Sequence, residues 1–330
     1  MTDKPGPILG TTLYSFTNDW RQRLYTLESL LEKVAALGLG PALEVVGFQT
    51  FRDFPDVSDE TARHFRGLLD RHGLIPSCLG GNLDVGRRRD RLMSPDEMQT
   101  YTERQLISAQ KLGFPVLRIQ HSVGPAVMER LAPLADRFKI QVAAELHSPL
   151  VADHPAVIEL RECYDRLGTP YLGFVPDFSS TMTAVPEGHW SSLREAGAPE
   201  ALLAEAKAIW ITDRPAAEKF GAWAEAAARH GAGPDLAGGL NRSLTMFGHA
   251  AVSQWTPLLP YVRHIHGKFY WVEAGRETSI PYPELMALLK GAGYQGTISA
   301  EWEGHAFSEE LLGFQQVQAW RAMCDRLLAN

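Results

Sequence analysis

The most constraining feature of this chain is a repeated alternation between short apolar runs of strand type and amphipathic helical patterns. Runs of this kind occupy residues 8–16, 42–48, 74–81, 115–122, 141–149, 171–180, 261–269 and 296–304. Strands that alternate with helices are typical of parallel sheets. Eight such units favour a closed (β/α)8 TIM barrel over an open sheet, and the GxGxxG motif of a Rossmann fold does not follow the first run.

Capping residues support the helices between these runs. Ser94, with Pro95 after it, is expected to begin one helix, and Ser58 is expected to begin another, while Gly38 should end the first. Composition permits such a barrel, because 45% of the 330 residues are hydrophobic and can fill a large core.

One connection breaks the regular spacing of the units. Asp177 and His266 lie 89 positions apart, whereas Glu145 and Asp177 are 32 positions apart. The excess falls in residues 178–261, where we expect an irregular segment (179–192), helices at 200–210 and 215–230, a Gly-rich linker (231–239) and a helix at 244–259. We therefore predict one domain, 1–330, in which 178–261 is an extended connection that acts as a lid or a subunit contact.

The net charge and the cysteine content limit the classes of ligand and partner that this chain is expected to bind. The formal net charge of −7 argues against nucleic acid and against a membrane surface, both of which favour basic patches. The three cysteines are far apart and suggest neither a disulfide framework nor a thiolate metal site. With no signal-like or membrane-spanning apolar stretch, a cytoplasmic protein that binds a small molecule is expected.

Four polar side chains lie at the ends of the last four apolar runs: Glu145, Asp177, His266 and Glu301. Such strand ends meet at one rim of a barrel. Three carboxylates and an imidazole suit Mn²⁺, Mg²⁺, Co²⁺ or Zn²⁺ with open positions for a substrate. Alternation places a second side chain on the same face in three runs, namely His147, His264 and Glu303.

Three segments carry a resemblance to a known family. The stretch IPYPELMALLKGAGYQGTISAEWEG (280–304), together with HIHGK (264–268), AAELH (143–147) and Asp177, resembles the xylose-isomerase-like sugar isomerase/epimerase superfamily. The resemblance implies a TIM barrel with one divalent metal ion, Mn²⁺ first, held by Glu145, Asp177, His266 and Glu301. It makes His147, His264 and Glu303 candidates for substrate contact or for supporting the ligands.

The resemblance also implies a reaction. In the similar ketose 3-epimerases two ligating glutamates exchange protons with the substrate, and here they would be Glu145 and Glu301. We thus expect an isomerase or epimerase that removes a proton beside the carbonyl of a ketose, inosose or other keto-sugar, although aldose isomerases of this type move a hydride. Further substrate contacts are expected from Tyr14, His121, Lys268 and Glu303. Phe269 stands where the family often has Asp, which leaves the substrate group open.

Other interpretations remain. A catalytic subunit similar to the C-glycoside deglycosidases would eliminate an aglycone from a 3-keto-glycoside as a carbon–carbon lyase. The long connection, the Trp content, His121 and His147 suit it, with His147 as an added catalytic group. That enzyme would be a hetero-oligomer with a small subunit, whereas an epimerase would be a homo-oligomer. An endonuclease IV-like phosphodiesterase would need His at Ser180, and a sugar-binding barrel without turnover is the remaining alternative. Glu44 has either a ligand-like role or an arginine partner.

Overall fold

The computed structural model describes residues 6–83, 89–120 and 123–329. Its strands follow the apolar runs of the sequence: β1 (Ile8–Thr12), β2 (Ala42–Val46), β3 (Ile75–Gly80), β4 (Val116–Ile119), β5 (Gln141–Leu146), β6 (Leu172–Pro176), β7 (Ile265–Phe269), β8 (Val272–Glu273), β9 (Arg276–Glu277) and β10 (Thr297–Trp302). Strands β8 and β9 form a short antiparallel hairpin, and the other eight form the main sheet.

The eight main strands are parallel and form a nearly closed barrel. Their order is β6-β5-β4-β3-β2-β1-β10-β7, so the first and last members, β6 and β7, must meet to close it. They meet through two isolated bridges, Phe174 with Val262 and Asp177 with His266. The prediction of a (β/α)8 barrel is confirmed.

Helices pack around the barrel between successive strands. Within the described residues they are α1 (Thr17–Arg21), α2 (Leu27–Ala36), α3 (Gly47–Thr50), α4 (Asp59–His72), α5 (Pro95–Leu112), α6 (Pro125–Phe138), α7 (Pro155–Leu167), α8 (Glu187–Glu195), α9 (Glu200–Trp210), α10 (Ala216–Arg229), α11 (Pro234–Met246), α12 (Tyr282–Gly291) and α13 (Gly313–Ala329). Ser58 and Ser94 cap α4 and α5 as predicted. None of these described helices combines the length and the apolar character that crossing a bilayer requires.

The barrel interior is layered along the strands. Four apolar side chains from β3 to β6 form a separate buried cluster: Cys78, Val116, Ala143 and Val175. Side chains two positions further along a strand point to the same face. The next inward positions toward the C-terminal rim are Gly80, Arg118, Glu145 and Asp177. The barrel interior therefore changes from apolar to mostly charged side chains within two residues along each strand. The apolar layer lies directly below the charged side chains.

The connection at 178–261 is helical, as expected, and the helices predicted at 200–210 and 215–230 are confirmed as α9 and α10, but its other elements are placed differently. The segment predicted to be irregular contains α8, whose His189 and Trp190 are buried. The predicted Gly-rich linker begins α11, with Gly233 as N-cap and Pro234 in the first turn. Where a helix was expected at 244–259, α11 ends at Met246 and a 3-10 helix covers Val252–Tyr261. Tertiary packing overrides the weak local preference of these Gly- and Ser-rich pieces.

Candidate functional site

The structure brings the four strand-end residues together. Glu145 is the penultimate residue of β5, Asp177 follows β6, and His266 and Glu301 lie within β7 and β10. One possible ligand atom from each lies within 4.8 Å of all the others. Asp177 and His266 are fully buried, and the carboxylates of Glu145 and Glu301 are only slightly exposed.

A carboxylate behind the cluster orients the His266 ring. Glu44 Oε1 lies 3.0 Å from His266 Nε2, and Glu44 Oε2 lies 3.1 Å from His264 Nε2. Nδ1 of His266 therefore faces the other carboxylates, 2.9 Å from Glu145 and 3.2 Å from Glu301. The sequence left Glu44 open between a ligand-like role and an arginine partner. Its hydrogen-bond partners are His264, just before β7, and His266 of β7. This arrangement is the usual support for a histidine that binds a metal.

Three atoms in the cluster fit a bound cation. Asp177 Oδ2, His266 Nδ1 and Glu301 Oε2 are buried, and their close polar contacts with described residues are ion pairs with Lys268 or with other side chains of the cluster rather than hydrogen bonds. Buried polar atoms are costly without a partner, and oxygen and imidazole nitrogen are donors that Mn²⁺, Co²⁺ and Zn²⁺ accept. The donor set could therefore hold one divalent ion.

Lys268 connects the cluster to a second group of polar side chains. Its Nζ lies 3.3 Å from Asp177, 3.2 Å from Glu301 and 3.0 Å from Glu303. Glu303 also accepts hydrogen bonds from the hydroxyls of Tyr14 at 3.1 Å and Tyr270 at 3.4 Å. Lys268, Glu303 and Tyr14, all suggested by the sequence as substrate contacts, are thus held by one another beside the candidate ligands.

The two candidate proton-transferring carboxylates differ in electrostatic environment. Burial, together with Asp177 and Glu145, raises the pKa of Glu301 to about 7, although His266 and Lys268 oppose the rise. Burial also disfavours the ionised form of Glu145, but Arg118 and His266 outweigh it and lower its pKa below the ordinary value. Metal ligands bind in their deprotonated form, so an ion entering the cluster would displace protons.

A cavity of about 410 Å³ opens above the candidate ligands. Its lining includes Glu145, Glu301, Lys268, Glu303, Tyr14 and His147, which the sequence proposed, and also Arg118, Phe48, Gln49, Gln120 and Thr245, which it did not. His147 is half-buried at this wall, whereas His264 lies below, fully buried and bonded to Glu44 and Ser299. His121 lies outside the described residues. Arg118 could have been found, because a charge within the apolar strand VLRI stands at an inward position.

Two curated relatives are similar over almost the whole chain. The C-glycoside deglycosidase alpha subunit of Microbacterium trichothecenolyticum is 42% identical over 317 residues, which cover 92% of this chain and 85% of that protein. The 3'-dehydrocarminate deglycosidase alpha subunit of a Microbacterium species is 38% identical over 332 residues, 97% of this chain and 95% of the relative. Both relatives are enzymes named for the removal of a sugar.

The fold is shared more widely. Residues 31–327 match a family described as xylose isomerase-like TIM barrel. A sugar phosphate isomerase/epimerase structure from Parabacteroides distasonis ATCC 8503 aligns with 99% of this chain and 97% of its own, at a TM-score of 0.56 and 11% identity. At this low identity the likeness concerns the fold alone.

Proposed function

Because this chain belongs to the xylose isomerase-like TIM barrel family, we propose that it is the metal-dependent catalytic subunit of a lyase that releases aglycones from 3-keto-C-glycosides. The observation that carries the proposal is 42% identity with a C-glycoside deglycosidase alpha subunit across 92% of the chain. The isomerase or epimerase reaction expected first from the sequence has weaker support, since structures of that kind, such as D-psicose 3-epimerase, are only 14% identical.

The elimination requires two proton transfers. A base removes the proton from the sugar carbon between the ketone and the anomeric carbon. Those electrons form a double bond to the anomeric carbon as its bond to the aglycone breaks, and the aglycone carbon keeps the electron pair of the broken bond and takes up a proton. A divalent ion held by Glu145, Asp177, His266 and Glu301 would polarise the ketone and make the neighbouring proton more acidic.

The cavity supplies groups for both transfers. Glu145 and Glu301 both line the cavity, 2.9 and 3.2 Å from His266 Nδ1, and we assign the removal of the proton from carbon to one of these carboxylates. His147 lines the same cavity outside the four-residue cluster. An imidazole readily gives and takes a proton near neutral pH. We assign it the proton that the departing aglycone carbon receives.

The remaining cavity residues position the sugar. Lys268 and Glu303 form an ion pair at 3.0 Å beside Glu301, and Tyr14 donates to Glu303. These groups can bind hydroxyls of a sugar ring and hold the ketone toward the cluster. Because the curated relatives are named alpha subunits, we further propose that this chain works with a smaller partner subunit.

The test compares elimination with epimerisation on one preparation. The metal-loaded chain, alone and with the partner chain copurified from its source, is incubated in deuterated water with a 3-keto-C-glycoside of an aromatic aglycone. A simple keto-hexose is run in parallel. Release of the aglycone supports the proposal. Deuterium uptake with a new sugar epimer and no aglycone release would assign an isomerase instead. A metal-loaded preparation that neither releases the aglycone nor forms an epimer would contradict both the lyase and the epimerase assignments.

A further inference from the structure

Arg118 is a buried cation in the wall of the catalytic cavity. It lies on β4, two positions after Val116 of the apolar interior cluster, and is only 6% exposed. Its side chain lines the cavity together with Glu145, His147 and Lys268. A permanent charge in such a position is costly unless its N–H groups are paired.

The neighbouring strand leaves room for this side chain. Gly80 of β3 pairs in register with Arg118. A Cβ atom at Gly80 would lie 2.8 Å from Arg118 Nη2, which is too close for any real contact. The glycine therefore permits the guanidinium to lie across the end of β3, over the apolar layer and beside Glu145.

Few of the described residues pair with the guanidinium of Arg118. It has five N–H donors. Within residues 6–83, 89–120 and 123–329, its one polar contact is the ion pair of Nη1 with Glu145 Oε2 at 3.4 Å, and Nε has no partner. Arg263 of the same barrel differs, since its Nε donates to Leu172 O and its Nη1 to Pro260 O, both at 3.0 Å. Arg118 thus lines the cavity with donors that no described residue uses.

We propose that Arg118 is a specificity-determining residue that binds two adjacent oxygens of the keto-sugar. The inference rests on the proposed function for the class of ligand. The planar fork of a guanidinium matches paired oxygens, which a lysine ammonium cannot bind in the same way. Glu145 holds one edge of the fork, and the sugar takes the donors that remain. Substrates that lack one of the two oxygens are discriminated against at this wall.

Binding of 3-ketoglucose to the metal-loaded protein, measured by calorimetry, tests this without requiring turnover. Arg118→Met should raise the Kd about 10–100-fold, the usual range for hydrogen bonds to a charged group, and Arg118→Lys should recover only part of the loss. Arg263→Met is the matched control and should leave the Kd unchanged. If Arg118→Met does not fold, Gly80→Ala, which displaces the guanidinium without removing it, should weaken binding in the same direction.

A double-mutant cycle, which combines Arg118→Met with sugar analogues that each lack one hydroxyl, identifies the oxygens that Arg118 binds. In the wild type, removing a contacted hydroxyl should weaken binding, and in Arg118→Met the same removal should cost nothing further. Equal losses in both proteins for every analogue would overturn the inference, as would loss of bound metal in Arg118→Met. If the effect of a deoxy analogue depends on Arg118 but no aglycone is released, the role of Arg118 stands and the lyase proposal fails. The two proposals can therefore fail separately.

Discussion

Glu44 holds the His266 ring from behind, with Glu44 Oε1 3.0 Å from His266 Nε2. This contact fixes which ring nitrogen faces the three carboxylates of the cluster. Glu44→Gln should therefore lower metal affinity about 10–100-fold, the range typical for such supporting contacts. Titration of metal-free protein with Mn²⁺ or Zn²⁺ checks this. Ser299→Ala, which removes a neighbour of His264 but not of His266, is the control, and an equal loss in both variants would contradict the prediction.

The four candidate ligands should bind metal as a set. Glu145→Gln, Asp177→Asn, His266→Ala and Glu301→Gln should each lose most of the bound metal and the activity while keeping the fold. Elemental analysis measures the bound metal, and circular dichroism measures whether the fold is kept. Glu303→Gln, at a buried carboxylate beside the cluster, should keep its metal. The assignment is wrong if two or more of the four variants retain a full complement of metal.

His147 distinguishes elimination from epimerisation. A lyase needs a proton donor for the departing carbon, so His147→Ala should reduce aglycone release at least about 100-fold. An epimerase that uses two glutamates would lose only a modest fraction of its rate. Metal content is measured on the same sample, and His154→Ala, at the N-cap of α7, is the control. If His147→Ala keeps its metal and releases the aglycone at nearly the normal rate, His147 is not the proton donor.

The connection at 178–261, called the insertion below, should control access to the cavity. Thr245 of α11 is exposed at its wall, so Thr245→Trp should fill the entrance. We expect substrate binding to weaken at least about tenfold, equivalent to about 1.4 kcal/mol, with metal content unchanged. Arg242→Trp, on the same helix and also exposed, should bind normally. Normal binding by both variants would exclude a lid role for this helix.

The insertion should also be sensitive to acid. His189 Nε2 lies 2.6 Å from Ser243 Oγ between α8 and α11, and burial lowers the pKa of His189 from 6.5 to about 4. As the pH falls below 6.5, His189 becomes protonated in the unfolded chain but stays neutral in the folded protein. The free energy of unfolding therefore declines until about pH 4. The loss is at most about 3 kcal/mol and is absent above pH 7.

The measurement is the urea midpoint at pH 7.5 and pH 4.5. His189→Gln should unfold with a smaller difference between the two pH values than the wild type. His64→Gln, exposed on α4, should behave like the wild type. An unchanged pH dependence in His189→Gln would show that the buried imidazole does not contribute to acid sensitivity.

The sequence predicted the barrel and the meeting of Glu145, Asp177, His266 and Glu301, because both depend on short-range alternation and on the shared rim of parallel strands. It did not predict that Arg118 pairs with Glu145, because the room for the guanidinium depends on Gly80 of the neighbouring strand β3. In the insertion, the helices predicted at 200–210 and 215–230 were found as α9 and α10, whereas α8 and α11 were missed for a related reason. Trp190 and His189 of α8 are buried by tertiary contacts that no local pattern around residues 179–192 reports.

The barrel closes between β6 and β7 through isolated bridges rather than a continuous ladder, and one of these bridges joins Asp177 to His266. An ion bound by these two residues would cross-link the ends of the sheet where few backbone hydrogen bonds do so. Binding of the ion would then raise the free energy of unfolding of the barrel, because a ligand that binds only the folded state stabilises it. The insertion leaves the barrel between the same two strands, so the ion would join them at the point where the chain departs from the barrel and returns to it.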